Sequence, residues 1–295
     1  MMKLEIAAKP PFSLHSVIHS HGWARLAPFN LDDETGEFSY VLELENQRVL
    51  KLIIEEIPDG VSVEIEDPIS KVEANEISEA VAWMLGLDQD FSEFYELARG
   101  ESKLEHIERE AQGRILRSPT LFEDTIKTIL TTNTAWSGTI RMANTLVTQF
   151  GEAIPGDDTA KAFPNPDTIA ESDEKTLREE TRLGYRSSYI LNLAREVNSG
   201  TFDLETLKDS DLPVEKVRDS LLSIKGVGNY AVANLLMLLG HYSYLTIDSW
   251  ALKMVSHEWY GGEPVTPTEV EQAFEKWGDW KGLAYWLWDW SYDGE

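Results

Sequence analysis

The chain has 295 residues, 42% of them hydrophobic and 26% charged, with no cysteine. That balance is globular, and the missing thiols exclude disulfides, thiol nucleophiles, zinc–thiolate centres and cysteine-ligated iron–sulfur clusters. With 26 Lys and Arg against 52 Asp and Glu the net charge is −26, which argues against a surface that holds polyanions by bulk positive potential.

The opening residues Met1-Met2-Lys3-Leu4-Glu5 lack the apolar core of a signal peptide. No apolar run reaches the roughly 18–20 residues of a membrane span, so no membrane contact and a cytoplasmic location are expected. His15, His19 and His21 cluster, but no acidic residue stands between them as a zinc-hydrolase helix would require. A polar stretch running into the turn at Gly22 is the expectation, with no metal.

Phe38 to Leu44 and Val49 to Ile54 are rich in β-branched and aromatic residues, with a hairpin turn expected at Glu45-Asn46-Gln47. Val61, Val63 and Ile65 alternate with Ser62, Glu64 and Glu66, the period of a half-buried strand. Ile77, Val81, Met84 and Leu85 then recur at helical spacing, and a short helix should hold Phe91, Phe94, Tyr95 and Leu97. From about residue 118 the helical period persists, starting with Ser118 as cap before Pro119. A Pro- and Asp-rich loop is expected at 151–166. Helices should follow at about 167–182, 186–198, 214–223, 229–239, 248–259, 267–277 and 280–290, broken by Gly200, Pro213, Gly226, Gly240 and Gly261-Gly262. The fold class is therefore α+β: a small antiparallel sheet domain over 1–112, then an all-helical region over 113–295, its last helices free to pack back on the first domain.

In Leu221 to Ala233 a helix ends, Gly226 and Gly228 flank Val227, and another helix begins. Glycine lets foreign backbone approach, and the free amides of a helix N-terminus suit a phosphate. A G-x-G turn alone also serves many tight helix–helix connections. The charge distribution is compatible with either reading, since 181–261 holds 8 Lys and Arg against 9 Asp and Glu. Downstream, Thr246-Ile247-Asp248-Ser249-Trp250 puts a carboxylate at the start of a helix, where an aspartate is an ordinary N-cap.

Leu222 to Lys253, with the hairpin about residues 216–235, resembles the signature of the helix-hairpin-helix DNA glycosylases. Further segments agree. Phe122 to Gly151 resembles the paired helices whose turn enters DNA beside the lesion. Leu183 to Tyr189 is similar to the partner-base loop of 8-oxoguanine glycosylases. Leu85 to Asp88 with Phe91 to Leu97 looks like the junction after the sheet domain, and Trp277-x-x-Trp280-Lys281 resembles the C-terminal motif of alkylpurine glycosylases.

The resemblance implies a monomeric base excision repair enzyme of the nucleoid, without cofactor, acting on double-stranded DNA that contains a damaged base. It assigns Asp248 as the catalytic carboxylate and Gly226, Val227 and Gly228 as the phosphate-binding turn. Asn133 would fill the space left by the flipped base, Tyr185 and Arg186 would meet the partner strand, and Tyr230 and Trp288 would line the base pocket. Family members that also cut the strand carry a lysine where this chain has Tyr230, which implies hydrolysis alone. The C-terminal tryptophans favour an alkylated purine such as 3-methyladenine. The Gly184-Tyr185-Arg186 loop looks more like an 8-oxoguanine enzyme, and a non-catalytic DNA-binding paralogue is the reading from another class.

Overall fold

A computed structural model describes residues 2–209, 211–245 and 247–290. In chain order the strands are β1 (Met2–Ala7), β2 (Phe29–Leu31), β3 (Phe38–Glu43), β4 (Val49–Ile57), β5 (Gly60–Ile65), β6 (Ala153–Ile154) and β7 (Asp157–Lys161). The helices are α1 (Leu14–Ile18), α2 (Lys71–Leu85), α3 (Ser92–Ala98), α4 (His106–Arg109), α5 (Leu121–Thr131), α6 (Trp136–Phe150), α7 (Pro166–Glu171), α8 (Glu174–Thr181) and α9 (Arg186–Asn198). After them come α10 (Val214–Ser223), α11 (Asn229–Leu238), α12 (Ser249–Trp259), α13 (Pro267–Phe274) and α14 (Lys281–Leu287). None of the described helices is long and apolar enough to cross a membrane.

The expected sheet is present and larger than its sequence signal. Five antiparallel strands run in the order β1-β5-β4-β3-β2, with Met2 opposite Ile65 and Phe38 opposite Ile54. The expected hairpin joins β3 to β4.

Compactness does not divide the chain at residue 112. One unit holds the residues up to Gln89, Arg114–Lys208 and Ile224–Gly226; the other holds Asp90–Gly113, Asp209–Ser223 and the residues from Val227 onward. The reason is burial. In β3, Phe38 to Leu42 are all buried, so the strand needs cover on both faces. Tyr40 reaches α5, while Val41 and Val49 pack with Ala162 at the end of β7. The segment expected as a loop is thus partly a strand pair, turned at Gly156 (φ 90°). In the second unit Phe94 packs against Trp277 and Trp280, and Phe91 against Tyr242, which draws 90–113 to the C-terminal helices.

Several boundaries differ for local reasons. Thr120, not Ser118, caps α5 by accepting from the Glu123 amide at 3.2 Å; the Ser118 hydroxyl instead accepts from Lys127 Nζ. Asp173 caps α8 through the amides of Lys175 and Thr176 and so splits the expected 167–182 helix. The 267–277 helix stops at Phe274, and a 3-10 turn broken at Gly278 (φ 52°) leads into α14. The histidine run is a short helix capped by Ser13, with the His15 and His19 rings 4.2 Å apart. No group of three or more metal-ligating side chains occurs among the described residues.

Helix α5 is buried from Leu121 to Leu130, charged residues included. Lys127 Nζ lies 2.6 Å from Glu123 Oε1, and Glu123 Oε2 accepts from the Tyr40 hydroxyl at 2.6 Å. Asp124 Oδ1 accepts from Trp23 Nε1 at 2.8 Å and from the Ser118 amide at 2.9 Å. Nearby, His21 Nε2 meets the Leu116 carbonyl at 2.6 Å. Burial pushes the Asp124 carboxyl up to about 6 and, with the same sign of effect on the charged form, lowers His21 to about 4.

These two groups oppose each other in the dependence of stability on pH. Asp124 has its pKa raised on folding, so its contribution is complete below about 4 and is lost as pH rises through about 6. His21 has its pKa lowered, so its contribution is present above about 6.5 and is lost as pH falls toward about 4. Asp124→Asn removes only the first. Its deficit relative to wild type should grow by up to about 3 kcal/mol between pH 7 and pH 4, measured by urea unfolding. A deficit that stays constant with pH would show that Asp124 does not titrate in this range.

Candidate functional site

The hairpin forms as expected, yet its two glycines do different work. Gly226 has φ 96°, and a Cβ there would lie 2.4 Å from the Tyr189 ring. Both the backbone and the ring therefore require glycine. Gly228 is extended (φ −100°, ψ −176°) and open: nothing lies within 4 Å of a Cβ built on it. It is the N-cap of α11 and caps with no side chain. The first amides of this ten-residue helix are thus left to solvent or to an incoming anion. The Val227 side chain is buried, so only its backbone can serve a ligand.

Asp248 is the N-cap of α12, its Oδ1 accepting from the Ala251 amide at 2.8 Å. The cap fixes the carboxylate at the positive end of the helix. The same side chain borders a cavity of about 260 Å³. Its walls are Tyr230, Asn234 and Met237 from α11, Tyr244, Trp250 beside Asp248, Gly282, Tyr285 and Trp286 from α14, and Trp290. This is less than the roughly 300–1,000 Å³ of drug-sized sites and suits one heterocycle. The aromatic rings brace one another, with Trp250 edge-on to Tyr285 at 5.9 Å and to Trp290 at 5.5 Å. Burial, with the Asp248 charge adding to it, pushes the Tyr285 phenol far up, so it stays a neutral hydrogen-bond donor. Gly282 is required by contact: a Cβ there would lie 2.3 Å from the Tyr244 carbonyl oxygen.

Trp288, expected in the base pocket, does not line this cavity. Trp288 is buried among Trp259, Phe274 and Trp277, while Trp286 and Trp290 form the wall. Helix α14 ends at Leu287 and Trp288 is extended. Tyr230 is in the wall of this cavity and is 49% exposed. Trp250, Tyr285 and Asn234 were missed. Asn234 stands four residues after Tyr230 and so shares its face of α11; that spacing could have revealed it.

In the first unit the structure brings Asn133, Tyr185 and Arg186 together. Asn133 sits between α5 and α6 at φ 48° and donates from Nδ2 to the Tyr185 hydroxyl at 3.3 Å. That bond, ahead of the others, lowers the Tyr185 phenol. Both residues are exposed. Arg186, expected to face a partner strand, is instead only 7% exposed and donates to the Thr132 carbonyl. A further exposed aromatic, Trp136, stands at the start of α6 with its ring on Gly22, where a Cβ would lie 2.3 Å away.

A family model described as "HhH-GPD superfamily base excision DNA repair protein" matches residues 126–279. The DNA-3-methyladenine glycosylase of Bacillus subtilis is 25% identical over 280 residues, which is 88% of this chain and 90% of that protein. Among solved structures, a 3-methyladenine DNA glycosylase from Archaeoglobus fulgidus superposes with TM-score 0.75 at 21% identity, covering 97% of both chains. The 8-oxoguanine glycosylase/lyase of Clostridium acetobutylicum, bound to DNA with cytosine opposite 8-oxoguanine, gives 0.70 at 21% identity, covering 94% of this chain and 90% of that one.

The two glycines should separate in mutagenesis. Gly226→Ala should cost at least about 2 kcal/mol of stability through positive φ and the Tyr189 clash. Gly228→Ala should leave stability within about 0.5 kcal/mol. It should nonetheless weaken binding to damaged and undamaged duplexes equally, because its methyl holds phosphate from the amides. Thermal melts and fluorescence-anisotropy titrations check both, and a Gly228→Ala variant that binds as wild type removes the hairpin from DNA contact.

Proposed function

We propose that this chain, which belongs to the HhH-GPD superfamily of base excision DNA repair proteins, is a monofunctional DNA glycosylase that releases alkylated purines by hydrolysis. The observation that carries the substrate class is the cavity beside Asp248. Its described walls are mostly aromatic, with Met237, Gly282, one amide and one carboxylate, and they include no Lys, Arg or His. A purine methylated at N3 or N7 is a cation, and aromatic faces attract cations most where water is excluded. Such a base also leaves without being protonated first, so the site needs no titratable general acid. A neutral lesion such as 8-oxoguanine would need one.

A base stacked in a duplex cannot reach such a cavity and must be flipped out. As the glycosidic bond lengthens, positive charge builds on the deoxyribose, as in glycoside hydrolysis. The Asp248 carboxylate, held by its cap bond, is the group that stabilises this charge and accepts a proton from the attacking water. Because the carboxylate is fixed before substrate arrives, little reorganisation is spent at the moment of reaction. Strand cleavage by β-elimination needs an amine that forms a Schiff base. The resemblance puts that amine at the position of Tyr230, and no described lysine lines the cavity. The name of the Clostridium relative includes lyase activity; what supports hydrolysis alone in the present chain is the lack of a described lysine in this cavity lining.

Asp248→Asn should lower single-turnover base release by at least about 100-fold while stability holds, since Asn caps a helix as well as Asp. A panel of single-lesion duplexes should rank 3-methyladenine and 7-methylguanine above 8-oxoguanine by about tenfold or more. Product strands should break only after alkali, and borohydride should trap no covalent adduct. Wild-type rates in the Asn variant would remove Asp248 from the chemistry. Release of 8-oxoguanine as the fastest substrate would transfer the chain to the other branch.

A further inference from the structure

Arg186 opens α9, and its guanidinium is buried. Nη2 donates to the carbonyl of Thr132, the C-cap of α5, and Nη1 lies 3.9 Å from Met142 Sδ. The guanidinium carbon sits 4.7 Å from the centre of the Tyr185 ring. None of these partners is a carboxylate, and Nε is buried without a hydrogen-bond partner. Burying a charge on such terms is costly, so the arrangement calls for a reason beyond packing.

The contacts close a ring. Arg186 holds the Thr132 carbonyl; the next residue is Asn133, in the left-handed region; the Asn133 amide donates to the Tyr185 hydroxyl; and the Tyr185 ring lies on the Arg186 guanidinium. Asparagine tolerates that backbone state better than most residues, but an isolated turn would still leave it. The ring fixes both the backbone and the side chain of Asn133.

We propose that Arg186 is a positioning residue that holds the Asn133 turn from behind, and that it does not read the partner strand. This rests on the DNA glycosylase reading. A guanidinium that reached a base edge would have to release the Thr132 carbonyl and leave the Tyr185 ring, undoing the turn it supports. Bidentate contact to O6 and N7 is the commonest way an arginine selects guanine. Withdrawing it leaves an exposed amide and a phenol ring, Asn133 and Tyr185, which contact any base. The chain therefore binds a damaged site with little regard to the opposite base.

The test uses duplexes carrying a tetrahydrofuran abasic analogue opposite dA, dC, dG or dT, which need no knowledge of the base released. Wild type should bind all four within about threefold of one another. Arg186→Ala should weaken all four by a common factor of about tenfold or more, and Arg186→Lys, whose ammonium reaches the carbonyl, should recover part of it. Tyr185→Phe, which removes only the hydroxyl and leaves the guanidinium in place, should produce a smaller common loss. It keeps the test open should Arg186→Ala fail to fold. A wild-type preference above about tenfold for one opposite base, lost in Arg186→Ala or Arg186→Lys, would make Arg186 a reader and overturn the proposal. Unchanged binding in Tyr185→Phe and a folded Arg186→Ala would overturn it as well. Failure of wild type to bind any of the four duplexes would instead refute the DNA-binding reading itself.

Discussion

A lysine with no exposure to solvent, Lys127, anchors the first unit of this protein. An ammonium taken from water is affordable only with close partners, and the chain supplies them from several elements: Glu123 on the same helix, Ser118 before it, and the Phe29 ring 4.5 Å away on β2. Glu123 in turn binds Tyr40 from β3 of the sheet, and Asp124 binds Trp23. Removing one member of such a group strands the others, at about 3–5 kcal/mol. Apolar packing would allow α5 to slide along the sheet by small steps, whereas this group has one arrangement in which every charge is met. We take that registration to be its use, because α5 ends at the Thr131–Asn133 turn, and the placement of that turn follows from the placement of the helix.

The second unit meets a different constraint at Asp248, whose carboxylate caps α12 and, on the proposed function, would have a second task that agrees with the first. Capping α12 needs an oxygen aimed at the Ala251 amide, and stabilising a sugar cation needs a carboxylate that cannot turn away. One cap bond secures both, leaving the remainder of the carboxylate group beside the aromatic cavity. The walls show the same economy. Tyr285 is at once a packing residue against Phe274 and Trp290 and a cavity residue beside Asp248.

Much of this was legible in the sequence where the signal is local. The alternation in β5, the apolar spacing of α2, the two hairpin glycines and the cap position of Asp248 each depend on a few neighbouring residues, and each stands where the pattern puts it. What the pattern could not supply depends on distant partners. Strand β1 reads weakly because it is an edge, fixed by pairing with β5 sixty residues away. Arg186 follows a loop motif that implies outward contact, yet a carbonyl more than fifty residues earlier takes it inward. Trp288 was assigned by resemblance alone, and the chain turns extended there after α14, which puts its neighbours Trp286 and Trp290 at the cavity beside Asp248.

The acidic charge is compatible with the proposed DNA contact if phosphate is held by backbone amides. Lys and Arg contacts to phosphate release counterions and give steep salt dependence; amide contacts at a helix N-terminus neutralise nothing and give little. On the proposed function, a protein of net charge −26 that met phosphate at the uncapped start of α11 would forgo long-range attraction and keep short-range fit. Its encounters with DNA should be slower than those of a basic homologue, and its hold on undamaged duplex weaker. What remains to select a damaged site is a base already easy to extrude, and a cavity that attracts a cation once extrusion has occurred. Selectivity on these terms comes from the lesion's own chemistry. That accords with an arginine that supports the turn from behind instead of reading the opposite strand.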